Sequence, residues 1–148
     1  EEQGPFEAVG RWHRQLGHIS LAMDHANDDS YPLGRELLDE DLKFELSRMV
    51  EDAALLLHRL GVSDPAAEFL AEYERAAKKH PGMTLDSDGH TNESRFYALA
   101  EEVGEVAAAL TYDNANTTGH NANLISEVIQ VGGLALAWLS RCQGGAVQ

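Results

Sequence analysis

The sequence predicts an all-α fold, a bundle of four to five helices forming one domain over residues 1–148. Three observations carry this reading. Apolar residues recur at helical spacing along five long segments, clusters of Pro, Gly, Asn and Asp separate those segments, and no stretch alternates with the period of a strand. The length of 148 residues suits one domain, and an apolar content of 43% is enough for a real core.

The first helix is expected over about residues 5–26, with Phe6, Val9, His13, Leu16, Ile19 and Met23 on one broad face. Gly10 and Gly17 each weaken it by about 0.8–1 kcal/mol unless they allow a neighbour to come close. The run Asn27-Asp28-Asp29-Ser30-Tyr31-Pro32 then breaks the pattern. A second helix follows from about Arg35 to Leu60, where Leu42, Leu46, Met49, Ala53, Leu56 and Leu60 form a packing seam capped by Gly61.

Ser63-Asp64-Pro65 is a start signal, a capping side chain followed by Pro in the first turn. The third helix runs to about Lys79, with Lys78, Lys79 and His80 where cations suit the dipole, and Pro81-Gly82 ends it. Met83 to His90 reads as a polar loop. Thr91 or Asn92 caps a fourth helix reaching about Tyr112, Asp113 to Gly119 reads as a second polar loop, and a fifth helix spans about 120–142.

Lys and Arg number 11 and Asp and Glu number 25, a formal net charge of −14. That balance excludes general binding to nucleic acid or anionic lipid, which clustered Lys and Arg would read. It leaves room for a small phosphorylated ligand, because a metal ion reverses the local field at an acidic site. The single cysteine, Cys142, forms no intramolecular disulfide or zinc knuckle, which fits a reducing, cytoplasmic setting. The longest uncharged run in a patterned segment, Val128 to Ser140, is well short of a membrane span.

The informative chemistry lies in the last two helices. Leu99, Val103, Val106 and Leu110 form the core stripe of the fourth, and Glu102 and Glu105 sit one turn apart on its flank beside Ala98 and Ala109. Glu101 points further round, towards solvent. Two carboxylates at this spacing repel, so they are either solvated or share a cation. The fifth helix is apolar on nearly all sides, yet Glu127 projects among Val131, Leu134 and Trp138, with Gln130 on an adjacent face. A carboxylate in that surface must be paired, protonated or bound to metal. Antiparallel packing would bring these groups together on one or two hard cations such as Mg²⁺ or Mn²⁺.

Glu102-x-x-Glu105, followed after 21 residues by Glu127-x-x-Gln130, resembles the ExxE, spacer, ExxD signature of the MazG-like all-α nucleoside triphosphate pyrophosphohydrolases. The surrounding wording is similar too: Leu-Ala-Glu-Glu-Val-Gly-Glu-Val-Ala, then Ser-Glu-Val-Ile-Gln-Val and Ala-Leu-Ala-Trp-Leu. The resemblance divides the chain into a MazG-like core at 63–143 and an additional N-terminal helical pair at 1–62.

It implies Mg²⁺- or Mn²⁺-dependent cleavage of an NTP or dNTP between the α and β phosphates, by a homodimer. Carried over by position, Glu102, Glu105 and Glu127 would hold metal, and Glu101 or Glu102 would orient or deprotonate the attacking water. The last acidic position of the signature is Gln130 here, whose amide oxygen can ligate a hard cation but brings no charge. A reduced activity, or a helical bundle that only binds a nucleotide or a protein partner, is the alternative.

Lys78, Lys79, Arg95 and Asn121 are further candidates for substrate contact, although helix-end charge and backbone satisfaction explain each as well. His13, His18 and His25 do not make a metal site: His18 and His25 are separated by about 10 Å along the helix, and His13 and His18 point about 140° apart.

Overall fold

The computed structural model describes residues 4–111 and 121–144, with side chains in the last helix from Leu124 onward. The described residues form five helices and no strand: α1 (Pro5–Ala26), α2 (Gly34–Arg59), α3 (Pro65–Lys79), α4 (Asn92–Ala109) and α5 (Asn121–Cys142). None of these helices is long and apolar enough to cross a membrane.

The start and stop chemistry is local. Asp64 Oδ1 accepts from the Ala67 N–H at 3.2 Å, and Thr91 Oγ1 accepts from the Ser94 N–H at 3.0 Å, so each cap satisfies a donor that the first turn cannot. Gly61, at φ +97°, lets the Val62 N–H return to the Leu57 carbonyl and closes α2. Between α1 and α2, Asp28 accepts from both the N–H and the hydroxyl of Ser30, and Tyr31 stacks on His25. Gly34 starts α2 directly against the His25 carbonyl, where a Cβ would have no room.

One core draws on all five helices. Trp12 and Ile19 of α1, Leu46 and Met49 of α2, Phe69 of α3, Leu99 and Val103 of α4, and Val128 and Trp138 of α5 are buried in it. The α2 seam is buried as its spacing predicts, although Leu60 is only partly covered and Leu57 joins instead. α5 is central, packing against α2, α3 and α4. It meets α3 closely, because Gly132 and Gly133 let Phe69 and Glu72 lie against its backbone.

Three expectations need correction. Leu16, Ile19 and Met23 of the expected α1 face are buried, but Ala8, Trp12, Gln15 and Ala22 join them, while Val9 is only partly covered, Phe6 is 84% exposed and His13 lies in solvent. Trp12 is wholly buried in that face, and Phe6, on the first turn, lies outside it. α4 ends at Ala109 rather than near Tyr112, which lies outside the described residues with the Asp113–Gly119 stretch. Leu110 and Thr111 turn back in i to i−3 bonds, and the Thr111 hydroxyl donates to the Ala108 carbonyl. The segment from Met83 to His90 is not merely a polar connector, since Leu85 and Asp86 are buried in it.

Candidate functional site

Adjacent packing of α4 and α5 brings Glu102 and Glu127 together. Their carboxyl groups share a hydrogen bond. Both are partly buried, while Glu101 and Glu105 are exposed on either side. Burial, the bond to Glu127 and the negative charges of Glu127, Glu101 and Glu105 push the Glu102 carboxyl up to about 8. Two facing carboxylates cannot both be charged in this setting, so in the metal-free protein a proton sits between them at neutral pH.

Gln130 completes the cluster. With its amide turned so that the nitrogen faces Glu102, it donates to both Glu102 oxygens at 2.9 and 3.1 Å. A half turn of the same amide would offer its oxygen instead. The residue that breaks the acidic pattern in the sequence is therefore a direct partner of its first glutamate.

The donor set is two carboxylates and an amide, all hard oxygen ligands, and suits a hard divalent cation. Among the described residues no three His, Cys, Asp or Glu side chains gather tightly enough to hold an ion alone.

The predicted substrate-binding cations lie elsewhere. Lys78 and Lys79 are exposed on the last turn of α3. Arg95 lies seven residues before Glu102 on α4, about 10 Å along the axis. It is only 3% exposed and holds the preceding loop in place: Nε donates to the Leu85 carbonyl at 2.7 Å, and the two terminal nitrogens donate to the Ser87 carbonyl and Asn92 Oδ1, each at 2.9 Å. The side chain of Asn121 lies outside the described residues.

The sequence reading missed how the loop is built. Asp86 accepts hydroxyl bonds from Tyr73 and Thr84, and Arg141 of α5 donates to the Asp86 carbonyl and to Asp88. The available signal was Leu85, a large apolar residue set between Thr84 and Asp86. Cys142 at the same end is no nucleophile, because burial, helped by the charge of Asp39, pushes its thiol up to about 11.

Compared with family models, with curated proteins and with solved structures, the chain matches none.

Proposed function

We propose that this protein is a metal-dependent nucleotide pyrophosphohydrolase, which cleaves an NTP or dNTP between the α and β phosphates. The observation that supports it best is the pairing of Glu102 with Glu127 across α4 and α5, where the acidic signature expects its metal. Mg²⁺ or Mn²⁺ would be held by Glu102 and Glu127 with Gln130, and would neutralise phosphate charge and acidify water, while the exposed Glu105 would reach the ion only through water. The chain's own part is to keep these oxygens rigid on two packed helices. Glu101, exposed beside Glu102, is in position to orient a water or to hold its proton. The homodimer and the cytoplasmic setting belong to the same proposal, and light scattering tests the former.

The deciding experiment incubates the protein with a panel of NTPs and dNTPs plus Mg²⁺ or Mn²⁺ and measures pyrophosphate. Release that disappears in Glu105→Gln and Glu127→Gln supports the reading. No release from any nucleotide, with a melting temperature indifferent to metal, sinks it.

A second reading rests on Gln130. Its amide ties up both oxygens of Glu102 without adding charge, which suits a catalytically weak bundle that binds a nucleotide or a protein partner. Nucleotide binding by calorimetry without pyrophosphate release would favour this alternative.

A further inference from the structure

A cavity of about 1000 Å³ opens at the end of the bundle where α4 begins and α5 ends. Its wall includes Tyr73, Ser87, Arg95, Trp138 and Arg141. The volume is at the upper end of the range of small-molecule pockets. Measured along α4 from Arg95, it is about 10 Å from Glu102, so it is separate from the carboxylate pair.

Two residues of this wall, Trp138 and Ser87, each carry a polar atom, Nε1 and Oγ, that is buried behind its surface without a hydrogen-bond partner among the described residues. Trp138 is wholly buried. An indole N–H can only donate, so leaving it unpaired costs about 1–3 kcal/mol unless an acceptor arrives.

Arg95 adds a second indication. Among the described residues its three hydrogen bonds all go to neutral oxygens, two backbone carbonyls and an amide, and it makes no ion pair. Two of its five N–H groups stay unengaged. Burial and the nearby Arg141 charge lower its affinity for its proton. Arg141 is itself paired with Asp88, and Asp86 and Asp88 offset part of this effect, but the bonds of Arg95 go to neutral oxygens, which leaves its charge open to an anion.

Asp39, Asp86 and Asp88 on the same wall outnumber Arg95 and Arg141 and repel any anion, so a ligand of single charge held at Arg95 is favoured over one of double charge. We propose that this cavity binds a small organic monocarboxylate, whose oxygens accept from Trp138 Nε1 and Ser87 Oγ while Arg95 supplies the opposite charge.

The test uses the two tryptophans of the chain, Trp12 and Trp138. In a ¹⁵N-labelled sample each gives one indole N–H signal. Trp12 Nε1 is also buried and unpartnered, but Trp12 does not line the cavity, so it is the internal control. Trp138→Phe assigns the signals, or Trp12→Phe if that variant fails to fold.

Sodium acetate and sodium benzoate are titrated against sodium chloride of matched ionic strength and against inorganic phosphate. The Trp138 signal is expected to move saturably with acetate or benzoate while the Trp12 signal stays. Ser87→Ala should weaken that binding about tenfold. No saturable movement with either carboxylate, equal movement with chloride, or a response to phosphate alone would overturn the proposal, as would unchanged affinity in Ser87→Ala. Neither nucleotide nor metal enters this measurement, so its outcome is independent of the pyrophosphohydrolase reading.

Discussion

Neighbouring glycines of α5 should respond oppositely to the same substitution. A Cβ at Gly132 would lie 2.9 Å from Phe69 Cδ1 and nearer still to Cε1 and Cζ, roughly 1 Å short of an ordinary carbon contact. Phe69 is buried at the crossing of α3 and α5, so the ring has no open side to move into. A Cβ at Gly133 would meet Glu72 Cγ at 3.3 Å, on a flexible side chain that can swing away.

Replacing helical Gly by Ala contributes about 0.8–1 kcal/mol through propensity, whereas overpacking a core costs about 1–3 kcal/mol. Gly132→Ala should therefore destabilise by up to about 2 kcal/mol, and Gly133→Ala should range from neutral to about 1 kcal/mol more stable. Urea unfolding of both variants measures the difference. Phe69→Leu in the Gly132→Ala background should recover part of the loss, because the two positions share one contact. If Gly132→Ala proves at least as stable as the parent protein, the close approach of α3 to α5 is wrong.

Other perturbations have equally definite outcomes. Folding raises the Glu102 pKa from 4.5 to about 8, so the folded state holds an extra proton between those values. In chelator-treated protein this Glu102 contribution should be full below pH 4.5 and be lost as pH rises through 8, with a ceiling of about 5 kcal/mol that solvent screening reduces to about 1–3. Chemical unfolding across pH checks this, and Glu102→Gln should flatten the slope. Gly17→Ala should stabilise α1 by about 0.5–1 kcal/mol in a thermal melt, because nothing lies within 4 Å of the added carbon. Arg95→Met should cost about 2–4 kcal/mol by leaving the Leu85 and Ser87 carbonyls without their donor, with hydrogen exchange rising first in the 83–90 loop. Gln130→Asp should tighten Mg²⁺ binding in calorimetry if that residue faces the ion; unchanged affinity would remove it from the site.

The local chemistry of the chain was legible in the sequence alone. Helical spacing marked α2 through Leu42, Leu46 and Met49, while Asp64, Gly61 and Thr91 announced where helices begin and end. These signals act over one or two turns, so neighbours in sequence carry them. The same periodicity put Glu102 on a flank and Glu127 in an apolar surface, but left their meeting open.

Tertiary packing decided what depended on another helix. It widened the buried face of α1 to take in Trp12, brought Glu102 to Glu127 and turned Gln130 toward both oxygens of Glu102. It also assigned Arg95 to the backbone of a loop and left the Trp138 indole without an acceptor. The reason is physical: a side chain's exposure and charge state depend on what lies across the interface, and residue spacing along one helix does not specify that neighbour.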